Sequence, residues 1–536
     1  MSGGSLPDAV VFDLDGVITF TARLHFAAWK ALFDDWLRAR SEAGGEPFRP
    51  FTEADYSRYV DGRPRLDGVR TFLASRGIGV PEGDPSDPPG RGTVHALGRR
   101  KNEIFRERLR REGVDVDPEA VRLARGLREA GVRVGVASSS KNTDSILEAV
   151  GLADLFVARV DGVLSERLGL RGKPAPDIFL ACLERLGGTD PDRAVVVEDA
   201  VAGVEAGRAG GFGLVLGVDR DDHAIPLREH GADWVVRGFR GIDVDRLRAW
   251  FANRAHARPN ALAEWPRLAR AFEDGTPAVF LDYDGTLTPI VDRPEFARLP
   301  GPMRDTLQRL ARAWPTTVVS GRARADVQRM VGLDGINYAG SHGFDIAGPG
   351  AGDGVRLDVA EEAVPAVAAA AREIRERTSG TPGVIVEDKT YSVAVHYRLV
   401  DEARVPEVER AVDEALENRP ELRKTLRKMV FELRPAVDWD KGRAVLWLID
   451  ALGLGGPDVC PIYIGDDVTD EDAFRALGDR GAGIVVTELP RPTAARWSLQ
   501  DVPEVRAFLE RLGRLSRNAG PGAGTPIDRS PTEETR

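Results

Sequence analysis

The chain has 536 residues, 42% of them hydrophobic, and a formal net charge of −11. That length calls for two or more domains, and the acidic balance argues against nucleic acid or an anionic membrane as the main partner, though not against a phosphorylated small molecule. The two cysteines, Cys182 and Cys460, sit in apolar contexts without CxxC or Cys/His pairing, so neither a disulfide framework nor a zinc site is indicated. No run approaches the ~20 apolar residues of a membrane helix, and MSGGSLPDAV carries neither a basic flank nor an apolar run before the first strand; a cytoplasmic protein is expected.

The first strand signal is the apolar run Ala9 to Phe12, which ends in Asp13-Leu14-Asp15-Gly16. Such a run suits a strand buried on both faces of a parallel sheet, and the carboxyl ends of those strands are where open α/β sheets place their ligand crevice. Trp29, Leu32, Phe33 and Trp36 then recur at i, i+3, i+4 and i+7, an amphipathic helix. Residues from about 20 to 120 hold polar helices and a Pro/Gly-rich loop at 81–92, read as a helical cap inserted into the domain. Strand signals return at VRVGVASSSKN (132–142), ending at Ser138, and at AVVVE, ending at Glu198-Asp199; Lys173 stands before a helix between them. This alternation implies a parallel sheet over residues 1–240. Residues 241–275 read as a helical connector around Arg258-Pro259.

AVFLDYDGTLTPI (278–290) repeats the opening device with Asp282 and Asp284. TTVVSGR ends a strand at Ser320, Lys441 heads a helix, and IYIGDDVTDEDAF ends a strand at Asp466. Spacing separates the halves. In the first, 125 residues part Asp13 from Ser138 and 35 part Ser138 from Lys173; in the second the corresponding gaps, Asp282 to Ser320 to Lys441, are 38 and 121. The second insert, about 346–436, contains strand-like VIVEDKTYSVAVHYRL (384–399) and MVFELRP (429–435), so a small α+β cap is expected inside a domain spanning 276–515. The Gly/Pro/Ser/Thr-rich tail 516–536 reads as disordered.

These residue types suit phosphoryl transfer. A carboxylate such as Asp282 attacking a phosphate dianion needs positive charge beside it, which Lys441 supplies. A divalent cation held by hard oxygens adds more; Asp466 can complete its ligand set with Asp282. Asp284 can protonate the leaving oxygen and then activate water, and Ser320 can hydrogen-bond a phosphate oxygen. Asp13, Asp15, Ser138, Lys173 and Glu198/Asp199 supply the same parts in the first half.

DxDG, a strand-end Ser, a Lys and an acidic pair, in order and twice, resemble the haloacid dehalogenase superfamily of phosphotransferases. The resemblance implies two tandem α/β domains, each with a Rossmann-like parallel sheet, and Mg²⁺ as cofactor. Residues 276–513 resemble the trehalose-6-phosphate phosphatase family, through SGR, GSHG (340–343), GDDVTDEDAF and the lid pattern Gly383, Glu387, Lys389, followed by His396-Tyr397-Arg398. It implies Asp282 as nucleophile, Asp284 as acid/base, metal held by Asp282, Asp284 and Asp466, and sugar phosphate contacts from Arg322, His342, Glu387, Lys389 and Glu432. Each has a plainer alternative: Glu387 and Lys389 a solvated strand face, His342 a turn cap, Arg322 a surface ion pair. Asp467 and Asp470 are either supports of the metal site or helix-head acids. Residues 8–236 resemble β-phosphoglucomutase, through FDLDGVIT, SSSKN, GKPAPDIF and VEDAVAGVEAG. That implies Asp13 as nucleophile, Asp15 as acid/base, metal held by Asp13, Asp15, Glu198 and Asp199, and phosphate held by Ser138 and Lys173. His25 is either a hinge-side partner of Asp15 or a packed histidine, and Phe20 stands where many relatives carry an acid. The expected activity is hydrolysis of trehalose 6-phosphate by the second half, with another phosphorylated sugar as the alternative. The first half is either a second phosphatase or mutase, or a non-catalytic sugar-phosphate-binding or structural module.

Overall fold

The computed structural model describes residues 6–44, 46–60, 65–220, 222–291, 296–349, 354–427 and 429–515. The tail 516–536, expected to be disordered, lies outside the described residues. The chain forms two compact units, Met1–Ala252 and Asn253–Arg536. No helix among the described residues is long and apolar enough to cross a membrane.

The first unit is built on six strands in the order Ala158–Val160, Arg133–Ala137, Ala9–Phe12, Ala194–Glu198, Leu214–Val218, Trp234–Val236. Every neighbouring pair is parallel. Ala9–Phe12 lies at the centre with all four residues buried, as its unbroken apolar run requires. Phe12 is in register with Val136 and Val197, so Asp13, Ala137 and Glu198 fall at one level, next to Ser138. The cap holds four helices, Ala22–Glu42, Glu53–Tyr59, Arg65–Ser75 and Val94–Glu112. Its own core joins Trp29, Phe33 and Trp36 of the first helix to Phe51, Val69 and Phe72. Each such side chain contributes about 1.5–3 kcal/mol on leaving water, so the cap has a core of its own. The strands Thr19–Phe20 and Asp115–Val116, paired antiparallel, stand at its two ends.

The second unit carries eight strands in the order Val355–Asp358, Asp345–Gly348, Asn337–Gly340, Thr316–Val319, Thr276–Leu281, Val459–Gly465, Ala482–Val486, Trp497–Leu499. The sheet is parallel from Asn337–Gly340 through Trp497–Leu499, as expected, and Asp345–Gly348 and Val355–Asp358 extend it antiparallel. The reason is local. Ser341, His342 and Gly343 all have positive φ (49°, 60° and 92°), and a turn this tight returns the chain beside itself, too short for the crossover a parallel strand needs. These two strands extend the core sheet. A separate antiparallel sheet follows, in the order Ile385–Asp388, Val393–His396, Val430–Pro435, Leu422–Arg427.

Alternation gives that smaller sheet two unlike faces. Val386, Val393, Val395, Phe431 and Leu433 pack on helices Val364–Thr378 and Val405–Glu417. The other face is polar: Glu387, Ala394, Glu432 and Thr425 form one row across it.

Candidate functional site

In the second unit, the strand Thr276–Leu281 delivers Asp282, buried at 5% exposure, to the carboxyl edge of the sheet. Its backbone N–H donates to Ile464 O (2.9 Å), locking it to the neighbouring strand that ends at Gly465. Lys441, the first residue of helix Lys441–Ala451, points its Nζ between two acids: 2.5 Å to Asp282 Oδ1 and 2.6 Å to Asp470 Oδ1. Burial alone would lower this ammonium's pKa, but the charges of Asp282 and Asp470 outweigh it and raise it. Asp282 is pushed the other way for a carboxyl, well upward, by burial and by Asp470 and Asp466, with Lys441 opposing.

Asp470 is held by three donors in all: Lys441, the Tyr463 hydroxyl (2.6 Å) and the backbone N–H of Asp467 (2.8 Å). Tyr463 was not singled out from the sequence. The available signal was a phenol inside an otherwise apolar strand, whose hydroxyl must find a partner when buried. Arg491 was missed as well. It donates to Asp466 O (2.9 Å) and to buried Glu471 (3.1 Å), and so pins the loop that carries Asp466.

Ser320 follows the strand Thr316–Val319 and is 1% exposed; its Oγ accepts from Arg322 N (3.1 Å). Arg322 turns back on Asp284 with two bonds, Nε to Oδ2 at 2.7 Å and Nη2 to Oδ1 at 2.6 Å. This is a fork-on-carboxylate pair. Both carboxylate oxygens of Asp284, which the resemblance implies as acid/base and metal ligand, are thus engaged by Arg322.

The first unit repeats the plan. Asp13 N donates to Val197 O (2.9 Å). Lys173 Nζ reaches Asp13 Oδ1 (2.5 Å) and Glu198 Oε2 (2.8 Å). Ser138 Oγ accepts from Ser140 N (3.1 Å). Both Asp-x-Asp-Gly loops make the same turn, with Gly16 N bonded to Thr19 O (2.7 Å) and Gly285 N to Thr288 O (2.8 Å). Each glycine has φ near +80° and approaches an acid so closely that a Cβ would stand 1.7 Å from Asp199 Oδ2 or 2.1 Å from Asp466 Oδ2. Here the turn and the close approach both demand glycine.

The acid/base environments differ. Asp15 takes hydroxyls from Thr21 and Thr19, and burial together with Asp13 pushes its carboxyl up to about 6. His25 does not reach it. The imidazole stacks on Phe105 (4.4 Å) and its Nδ1 meets Lys101 Nζ at 2.7 Å. Lys101 is 3% exposed, and burial plus the charge of Arg65 hold its ammonium well below the ordinary lysine range. Phe20 lies beside Arg220, whose guanidinium is 5.0 Å from the ring.

Above the second core, Glu387 Oε2 lies 3.2 Å from His396 Nε2 and 3.4 Å from Lys389 Nζ. Burial would raise the Glu387 carboxyl, but His396 and Lys389 together hold it below the usual range. Glu387 also acts electrostatically on Arg322 of the core. Buried Glu432 accepts from Ser392 Oγ (3.3 Å), and His342 Nε2 stands 3.9 Å from it.

Among the described residues, each unit has one acid cluster whose oxygens lie within 4.8 Å of one another: Asp13, Glu198 and Asp199 in the first, Asp282, Asp466 and Asp470 in the second. The donors are all carboxylates, which suits a hard divalent cation. Crowding pushes Glu198 to about 8, and Asp199 and Asp466 to about 7, with burial the main cause. Asp466 Oδ1 is buried without a hydrogen bond. One lysine per cluster does not balance three acids, and the residues present fit a further cation.

The trehalose-phosphatase family profile matches residues 280–503, and that of the haloacid dehalogenase-like hydrolases matches residues 7–211. A trehalose-phosphate phosphatase of Mycobacterium leprae is 41% identical over 415 residues, 74% of this chain and 92% of that protein. One from Mycobacterium bovis is 45% identical over 338 residues, 61% of this chain and 83% of that protein. An uncharacterized glycosyl hydrolase of Mycobacterium tuberculosis is 40% identical over 511 residues; the match takes in 94% of this chain but only 38% of that longer protein.

Proposed function

Because the chain belongs to the trehalose-phosphatase family, we propose that its second unit hydrolyses trehalose 6-phosphate to trehalose and phosphate through an aspartyl-phosphate on Asp282. The observation that carries this reading is Lys441, buried and bonded to both Asp282 and Asp470 at the edge of the sheet. That ammonium lets a carboxylate meet a phosphate dianion without repulsion.

An Asp282 oxygen attacks phosphorus, and the bond from phosphorus to the sugar O6 breaks. Asp284 gives its proton to the departing oxygen. Water then attacks the aspartyl phosphorus and surrenders a proton to Asp284, which frees phosphate and restores Asp282. Arg322 occupies both oxygens of Asp284 in the free protein, so it must move before that carboxyl can act. The incoming phosphate is the ligand that would draw it away. Ser320 and its turn receive a phosphate oxygen. Asp282 and Asp466 would hold Mg²⁺, with Asp470 behind them; when bound, the ion neutralises charge on the phosphoryl oxygens. Glu387, Lys389, Glu432 and His342 face the sugar.

The first unit supports a second reading, a separate phosphotransferase acting on a small sugar phosphate, because Lys173 bridges Asp13 and Glu198 in the same way. One experiment addresses both. The Asp282→Asn chain is assayed for phosphate released from a panel of sugar phosphates that includes trehalose 6-phosphate and β-glucose 1-phosphate. Loss of trehalose 6-phosphate hydrolysis with the fold intact is expected. Turnover of another ester that then disappears in Asp13→Asn assigns that activity to the first unit. Full trehalose 6-phosphate hydrolysis with both aspartates replaced refutes the proposal.

A further inference from the structure

The polar face of the smaller sheet carries Glu387, Lys389 and Glu432, which the proposed chemistry uses, and His396, Arg423 and Arg434, which it does not. Of these last three, His396 is the one bonded to Glu387. We infer that His396 is a positioning residue: it fixes the Glu387 carboxylate in the orientation that meets the sugar, without touching substrate itself. The inference rests on the reading of the second unit as a sugar-phosphate hydrolase.

Register supplies the first argument. Ala394 lies directly across from Glu387, and His396 lies across from Ile385. His396 is thus the diagonal neighbour of Glu387, at the separation that only long or aromatic side chains can bridge. The methyl group of Ala394 leaves the space between them open. Glu387 leans across it, and His396 Nε2 comes to 3.2 Å from Oε2.

The second argument is the division of labour between the two carboxylate oxygens. His396 and Lys389 both lie against Oε2, at 3.2 and 3.4 Å. Oε1 is left to accept a ligand hydroxyl. An imidazole N–H donating to one oxygen fixes the carboxylate plane, which a single flexible lysine does not, since its ammonium acts as a point charge. Position matters because Glu387 acts across the gap on Arg322, and Arg322 is the residue bonded to Asp284. A carboxylate that swung towards Arg322 would compete with Asp284 and with phosphate for the same guanidinium. In this arrangement His396 keeps Glu387 for the sugar and Arg322 for the phosphate.

A merely structural role makes a different prediction. His396 is one-third exposed, and a half-exposed pair on a strand surface adds little to stability. The test uses the full chain and the sugar phosphate that the wild type turns over fastest. His396→Ala is expected to keep the melting temperature within about 2 °C and to raise KM about fivefold, the net size of one ordinary hydrogen bond, with kcat changed less than twofold. His396→Gln, which can place an amide N–H near the same oxygen, should recover most of the loss. In a Glu387→Gln background, His396→Ala should add nothing further. An unchanged KM in His396→Ala, or a full additional loss on top of Glu387→Gln, overturns the inference. A wild type that hydrolyses some other sugar phosphate but not trehalose 6-phosphate overturns the substrate proposal and leaves this test in force on the ester it does use.

Discussion

Replacing Lys441 with Met tests the electrostatics on which the second site depends. Methionine is close to lysine in length, so the change removes charge with little change in volume. It leaves Asp282 and Asp470 without the ammonium that each contacts at 2.5–2.6 Å, next to a third acid, Asp466. Removing one partner of a buried ion pair costs about 3–5 kcal/mol. For a unit spanning Asn253–Arg536, a kcal/mol moves the melting temperature by roughly 2–4 °C, so the metal-free variant should melt roughly 6–20 °C lower at pH 8. The pH dependence has a definite sign. The Asp282 carboxyl is held well above its ordinary range and Asp466 is pushed up to about 7. Between about pH 4 and 7 the folded state therefore binds more protons than the unfolded chain, and stability falls as pH rises through that window. Without Lys441 that slope steepens, so the gap between variant and wild type should narrow from pH 8 to pH 5. Thermal melts in EDTA across this range give the answer. A shift under 2 °C at pH 8, or a gap that widens on acidification, would show that the lysine does not balance these acids.

Gly285→Ala should abolish phosphate release from the second site, because a Cβ would stand 2.1 Å from Asp466 Oδ2 at a φ of +80°; phosphate assay checks the loss, and circular dichroism checks that the sheet survives. Tyr463→Phe removes one of three donors to buried Asp470 and should cost about 1–3 kcal/mol, visible as a lower melting temperature together with reduced kcat, since Asp470 shares Lys441 with the nucleophile.

Much of this architecture was legible because one device occurs twice. The apolar runs ending in Asp13 and Asp282 mark where each sheet opens, and there Lys173 reaches Asp13, Lys441 reaches Asp282, and Asp466 clusters with Asp282. What escaped was set by contacts distant in sequence. Nothing local in the string RADVQRM or SGR says that Arg322 will fold back on Asp284 across 38 residues. Nothing near His25 says that it will meet Lys101, 76 residues away, in place of Asp15. The antiparallel extension of the second sheet follows from left-handed backbone at Ser341 and His342, two residues whose types give no such warning, although the glycines beside them do mark a turn.

The place of each insertion decides which catalytic part its cap is tied to. In the first unit the insertion follows the Asp13–Gly16 loop, and the hinge strand Thr19–Phe20, which begins four residues after Asp15, pairs with Asp115–Val116 at the insertion's other end. Arg220 joins the two sides, with bonds of 2.8 Å to Gly16 O and to Asp117. The cap of this unit is therefore tied to the loop that carries Asp15. In the second unit the insertion follows the serine loop. There the turn Ser341–Gly343 takes bonds from the cap and from the core: His342 N donates to Ser320 O (2.9 Å), Ser341 N to Arg322 O (2.7 Å), Ser341 Oγ to Lys389 O (3.3 Å), and Trp439 Nε1 to Gly343 O (2.9 Å). That cap is thus bonded through one turn to Ser320 and Arg322, whereas the first cap is bonded through its hinge to the loop that carries Asp15.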